Sequence, residues 1–297
     1  MSSRHTLKRS VHVEGIGLHT GRHVRLVLAP AGAGTGVRFV RTDLGLEIPA
    51  RVESLSRLDH ATRLSSGEAS VETVEHLLSA LYALGVDDAC IELDGPEVPI
   101  LDGSAAPFVD LVLEAGLRAL AVPRCQLEIL RPIEVRRGDK WMRVSPAPEL
   151  RVSYDISFEH PALRQQSATF TLTPEVFASQ IAPARTFGFL REVEALRRNG
   201  LARGGTLDNA LVFGEEGALS PLRFADECVR HKILDAVGDL ALLGLPLRGH
   251  VEAHRAGHAL HAALAQAVIA APHAYRVVTD APRVRAEAAG VALAAAV

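Results

Sequence analysis

Val71-Glu-Thr-Val-Glu-His-Leu-Leu-Ser-Ala-Leu-Tyr-Ala-Leu-Gly85 is the stretch on which the fold turns. Val71, Val74, Leu77, Leu78, Leu81 and Leu84 recur at three- and four-residue steps, the spacing of one helical face, and Gly85 supplies a stop. Upstream the period is shorter. Val11, Val13 and Ile16, then Val24, Leu26 and Leu28, then Val37, Phe39 and Ile48 read as half-buried antiparallel strands over 11–28 and 37–52. Downstream come a short strand, Ala89-Cys-Ile-Glu-Leu93, a turn-rich loop from Asp94 to Gly103, and a helix opened by Ser104 and carrying Phe108, Leu111, Val112 and Leu113. The same order then recurs: strands over 125–158, a helix over about 224–243 ending at Gly244, a strand over 249–254, and, after Gly257, an alanine-rich helix over 258–271. This repeat predicts an α+β fold of two related domains, 1–122 and 123–275, divided near Val122-Pro123. A C-terminal tail, 276–297, is expected to be a frayed or helical appendage without chemistry.

Composition narrows the function. The 297 residues are 48% apolar and 23% charged, with 32 basic and 35 acidic side chains and a formal net charge of -3, so no global field recruits nucleic acid or an anionic membrane. Cys90, Cys125 and Cys228 are odd in number and form no CxxC pair, against both a disulfide framework and a thiolate zinc site; buried thiols are expected. The basic N-terminus is not followed by a signal-peptide core, and no stretch approaches the roughly 18 apolar residues of a membrane span. The expectation is a cytoplasmic monomer. Thirteen histidines hint at metal or acid–base chemistry.

Three clusters carry that hint. Glu75 and His76 are adjacent on the first long helix, and serve either as its solvated edge or as base and ligand at a cleft. His231, Asp235 and Asp239 form a polar stripe opposite Val229, Ile233, Val237 and Leu240; their four-residue steps suit two ligands of a zinc-like ion or a hydrogen-bonded pair on a wet face. His250, Glu252 and His254 share one strand face and read more simply as surface side chains on an edge strand than as a metal site. His258, at a helix start after Gly257, is placed to aim into a cleft. No HExxH, GxSxG or Walker motif is present, and Gly15-Ile-Gly-Leu-His-Thr-Gly21 is followed by a strand pattern, unlike a dinucleotide loop.

Gly15-Ile-Gly-Leu-His-Thr-Gly21, Thr73-Val-Glu-His-Leu77, Ile100-Leu-Asp-Gly-Ser104, Ala184-Arg-Thr-Phe-Gly-Phe189, Thr206-Leu-Asp-Asn-Ala210, Arg230-His-Lys-Ile-Leu-Asp235 and Gly257-His-Ala-Leu260 occur in this order over about residues 5–271. Together they resemble the UDP-3-O-acyl-N-acetylglucosamine deacetylase family, zinc amidohydrolases of the committed step of lipid A synthesis. The resemblance implies two α+β domains with helices face to face around the site. It makes His76, His231 and Asp235 the ligands of one Zn2+, Glu75 the general base, and His258 the charged histidine that protonates the leaving amine. It has Asp239 orienting His258, and Lys232 and Thr186 contacting substrate or oxyanion. Leu18, His19 and Phe187 are expected to touch the substrate, the segment from Phe187 to Leu201 to form an apolar passage for its acyl chain, and Lys140 and Arg255 to lie near its uridine diphosphate. One departure stands out: His261 occupies a place where the family usually has asparagine. Two histidines and a carboxylate accept zinc or iron alike.

Overall fold

Period-two alternation becomes two five-stranded sheets in the computed structural model, which describes residues 3–279. In the first, β2 (Val11–Ile16) and β3 (His23–Pro30) pair antiparallel with Val11 opposite Leu28 and Val13 opposite Leu26, which aligns their apolar residues on one face. β4 (Val37–Arg41) and β5 (Leu46–Pro49) form a second antiparallel pair. β9 (Ala89–Leu93) joins the two, antiparallel to β3 and parallel to β4. The second sheet repeats the plan: β12 (Ile133–Arg137) pairs with β13 (Lys140–Ser145), β14 (Arg151–Ile156) pairs with β15 (Gln166–Thr171), and β19 (His250–His254) runs between, antiparallel to β13 and parallel to β14. Both sheets thus have the order first, second, last, third, fourth. The α+β repeat expected from the sequence is present.

β19 is therefore a central strand, which corrects the edge-strand reading of His250, Glu252 and His254. Val251 and Ala253 alternate with these three and are buried, so a neighbour on each side leaves the polar residues on the outer face. His250 Nε2 lies 2.8 Å from Ser153 Oγ and His254 Nδ1 2.6 Å from Asp155 Oδ2, separate partners for separate residues.

α1 (Glu75–Ala83) packs on α2 (Ala106–Ala115) and, across the joint, on α5 (Glu227–Leu240), which in turn packs on α6 (His258–Ala270). α5 and α6 rest on strands of the second sheet. Leu77, Leu78, Leu81, Val229, Ile233, Val237 and Leu240 are almost wholly buried, as befits helices covered on more than one side. The crossing is close: a Cβ at Gly238 would fall 2.0 Å from the Glu75 carbonyl oxygen. Only glycine admits this approach, and it brings the first turn of α1 against α5.

Smaller elements frame the core. β1 (Ser3–Leu7) pairs with β10 (Leu117–Pro123). β6 (Leu55–Arg57), β7 (Arg63–Ser66) and β8 (Ala69–Val71) form a three-stranded sheet. Val71 thus ends a strand and does not begin the helix: the Glu72 backbone bonds to Pro96 and Val98, holding that segment extended until Thr73. α3 (Pro174–Val176) runs on into a wider helical turn, Phe177–Ile181. β16 (Phe187–Phe189) leads into α4 (Leu190–Arg198) and pairs in parallel with β17 (Leu211–Phe213).

β11 (Cys125–Ile129) lies between β18 (Leu247–Arg248) and β20 (Tyr275–Thr279). Residues 276–279 are thus a strand and not the frayed or helical start of a tail; Val277, Val278 and Thr279 are β-branched and pair with Leu127, Gln126 and Cys125. The rest of the expected tail lies outside the described residues. Cys90 and Cys228 are buried as expected, whereas Cys125 is half-buried. β10 ends at Pro123 and β11 begins at Cys125, and we propose that the two halves divide there. Among the described residues no helix is long and apolar enough to cross a membrane.

Candidate active site

Two helices and a left-handed residue build the centre of the site. Thr73 has φ 58, a conformation unfavourable for a β-branched residue, and its hydroxyl is tied to buried Glu97 at 3.0 Å. This reversal turns the chain from β8 into α1, so that Glu75 and His76 enter the helix interface and are only 3% and 4% exposed. On α5, His231, Asp235 and Asp239 share one face at four-residue steps and are equally buried. Burial excludes the solvated-edge reading of the first pair and the wet-face reading of the second stripe.

His231 Nε2 lies 3.3 Å and His76 Nε2 3.7 Å from Asp235 Oδ1. Two ligands of a tetrahedral zinc ion, at bond lengths of about 2.0–2.1 Å, stand about 3.3 Å apart. His231 Nδ1 donates to the Ala184 carbonyl at 3.0 Å, which leaves Nε2 with its lone pair. Asp235 Oδ2 accepts from Lys232 Nζ at 2.7 Å, whereas Asp235 Oδ1 and His76 Nδ1 are buried with no hydrogen-bond partner. An orphaned carboxylate oxygen between two imidazoles is a place where a cation satisfies what the protein does not. Burial pushes both histidines down, His76 to about 3 with His231 adding to the effect, so both are neutral donors. Burial opposes the charge of Asp235, but His231 and Lys232 outweigh it and hold the carboxyl far below the usual range. The donor set fits zinc.

Further titratable groups flank these three donors. His258 begins α6, and its Nδ1 is 2.8 Å from Asp239 Oδ2 while its Nε2 is 3.9 Å from Glu75 Oε1. Burial disfavours the imidazolium, yet the charge of Asp239 and its hydrogen bond prevail and raise His258 to about 9. Against the same burial, His258 holds Asp239 at about 2. Burial also pushes Glu75 up to about 8; a divalent cation close by acts in the opposite sense.

Thr62 touches all three groups. Its backbone N–H donates to Glu75 Oε2 at 3.1 Å, its hydroxyl donates to Asp239 Oδ1 at 2.5 Å, and the same oxygen is 3.2 Å from His258 Nδ1. Sequence reasoning missed it, because a threonine in the irregular loop between β6 and β7 carries no periodicity or motif.

Beside the cluster lies a cavity of about 410 Å³ lined by Leu18, His19, Thr186, Phe187, Val193 and Leu196 among others, with α4 forming part of its wall. Arg185 forks onto Glu227 Oε1 and Oε2 at 2.9 and 3.3 Å, both side chains buried, which clamps residues 184–186 against α5. Lys232 Nζ stands 5.6 Å from the centre of the Phe187 ring, so the cavity meets the ligand cluster at these two residues.

Comparison with known proteins finds relatives along almost the whole chain. Residues 4–270 match the family described as UDP-3-O-acyl N-acetylglycosamine deacetylase. The UDP-3-O-acyl-N-acetylglucosamine deacetylase of Anaeromyxobacter dehalogenans is 46% identical over 298 residues, covering 98% of this chain and 97% of that one. The proteins of the same name from Myxococcus xanthus and Oleidesulfovibrio alaskensis are 46% identical over 295 residues and 48% over 260, covering 98% and 86% of this chain and 93% and 85% of theirs. The chain belongs to the UDP-3-O-acyl N-acetylglycosamine deacetylase family.

Within this deacetylase fold, His76, His231 and Asp235 converge, Glu75, Asp239, His258 and Lys232 surround them, and Leu18, His19, Thr186 and Phe187 line the adjoining cavity. Lys140 and Arg255 sit at one end of the second sheet, where Trp141 pairs with His254. Lys140 is exposed, and Arg255 is ion-paired with Asp139. His261, the departure from the family pattern, lies wholly buried with Nδ1 2.7 Å from Asp239 Oδ2.

Proposed function

We infer that this site hydrolyses the N-acetyl group of UDP-3-O-acyl-N-acetylglucosamine, releasing acetate, in the committed step of lipid A synthesis. The observation that carries the reading is the orphaned Asp235 Oδ1 between His76 Nε2 and His231 Nε2, with Glu75 and His258 alongside. The three donors would hold one Zn2+, which when bound supplies a Lewis acid for the acetyl carbonyl and makes a water nucleophilic near neutral pH.

The chain's own groups do the rest. Thr62 occupies Glu75 Oε2, so Oε1 is the oxygen that takes the proton of the attacking water. As the C–N bond breaks, the glucosamine nitrogen needs a proton, and His258 donates it from Nε2, the nitrogen that Asp239 leaves facing the cleft. The water oxygen and its second proton leave as acetic acid, which ionises to acetate in solvent, and the proton held by Glu75 restores the site when returned to His258. Lys232 and Thr186 act at the developing oxyanion or the sugar. The cavity beside Phe187 takes the acyl chain, and Lys140 and Arg255 serve the diphosphate.

Metal analysis combined with an acetate-release assay tests this. One zinc per chain and turnover of the acylated UDP-sugar are expected. His76→Ala and Asp235→Ala lose metal and activity together, whereas Glu75→Gln keeps the metal and loses about 10²–10⁴-fold in kcat. Full zinc occupancy in His76→Ala, or undiminished rate in Glu75→Gln, contradicts the assignment.

A further inference from the structure

Asp239 Oδ2 accepts from two imidazoles at once: His258 Nδ1 at 2.8 Å and His261 Nδ1 at 2.7 Å. The two histidines are three residues apart on α6 and therefore share a face. Behind His261, the hydroxyl of Tyr154, on β14 and 2% exposed, lies 3.0 Å from Nε2. A buried string thus runs from the second sheet through Tyr154, His261 and Asp239 to His258.

The proton positions follow from chemistry. A carboxylate only accepts, so His261 Nδ1 carries a hydrogen. Burial pushes His261 below its usual range, so the ring is neutral and Nε2 is a bare acceptor. Tyr154 must then be the donor. Asp239 and Tyr154 thus both favour the Nδ1-protonated tautomer, since the flipped one would set a lone pair against a carboxylate.

We propose that Tyr154 and His261 are a positioning pair: the phenol anchors the His261 ring from its Nε2 side, and His261 in turn fixes the Asp239 carboxylate in the plane from which it holds His258. Neither residue touches substrate, so the effect falls on kcat and not on KM. The catalytic consequence rests on His258 acting as the acid; the tautomer does not.

Substitutions at the two positions compensate each other. Asparagine at 261 keeps an N–H for Asp239 but leaves the buried Tyr154 hydroxyl without its acceptor, and the phenol then competes for the amide. Removing that hydroxyl frees the amide for Asp239 alone. Tyr154→Phe and His261→Asn are each expected to lower kcat about three- to tenfold with KM within about twofold and zinc content unchanged. Tyr154→Phe/His261→Asn returns kcat to within about twofold of the parent.

Long-range 1H–15N spectra of the zinc-loaded protein, with histidine labelled, read the ring directly: His261 is Nδ1-protonated in the parent and in Tyr154→Phe, where the Nε2 resonance moves because its hydrogen bond is lost. Additive losses in the double variant, a Tyr154→Phe protein that melts lower at unchanged kcat, or an Nε2-protonated His261 would each overturn the pairing. A parent protein that releases no acetate defeats the functional reading instead, and the spectra still decide the tautomer.

Discussion

Asp239 is the residue on which the chemistry turns. Its two oxygens take three hydrogen bonds, from Thr62, His258 and His261, in a place only 1% exposed. An acceptor so saturated stays ionised, and it confers on His258 a proton held to about 9. The proposed acid works protonated, so kcat/KM is expected to fall on the alkaline side, and the alkaline limb in Asp239→Asn to move to lower pH, because the largest influence that raises the imidazole is gone. The same pair has a stability signature in the metal-free protein. Asp239, lowered from 3.8 to about 2, stabilises fully above 3.8 and loses that contribution as pH falls through 2. His258, raised from 6.5 to about 9, stabilises fully below 6.5 and loses it as pH rises through 9. Unfolding by urea across pH should show the joint contribution intact between about 4 and 6.5 and absent in Asp239→Asn. A limb unmoved by that substitution would remove His258 from the acid's role.

At the scale of elements, the site depends on how closely α1 and α5 cross. The Gly238 Cα lies against the Glu75 backbone, and a methyl group there meets the carbonyl oxygen at 2.0 Å. Gly238→Ala therefore cannot gain the usual helix-propensity benefit of alanine over glycine; it must separate the helices. Overpacking of this kind costs about 1–3 kcal/mol. The separation pulls His76 from His231 and Asp235, so zinc affinity should fall as well. Denaturant unfolding and metal titration of Gly238→Ala check both, and a more stable variant with unaltered affinity would show that the contact is slack. The clamp of Arg185 on Glu227 works on the other side of the ligands, holding the Ala184 carbonyl that fixes the His231 tautomer.

For the whole molecule, the three donors proposed to hold the ion come from both of the proposed halves: His76 from the first, His231 and Asp235 from the second. A bound ion therefore also ties the halves together. Free zinc at about 1,000 times Kd should add about 4 kcal/mol to folding, and a chelator should lower Tm correspondingly; His76→Ala should be indifferent to both. A parent whose Tm ignores chelator would place the ion elsewhere. Much of this architecture was legible beforehand. The two periods, three to four residues along Leu77, Leu78 and Leu81 and two along Val24, Leu26 and Leu28, are local properties of the chain, and their recurrence determined a repeated α+β fold. The family resemblance carried by the seven motifs likewise implied His76, His231 and Asp235. Other features had no local signature. Whether the stripe His231–Asp235–Asp239 faced water or a partner helix depends on what packs against it, and so does the centrality of β19, which borrows neighbours from strands a hundred residues earlier. Thr62 acquires its role only by proximity to Asp239, and Tyr154 only by proximity to His261. Periodicity is written in sequence because each residue repeats its neighbour's geometry, whereas the meeting of a loop threonine and two helix histidines on one carboxylate, with a strand tyrosine behind one of them, is a property of three-dimensional closure alone.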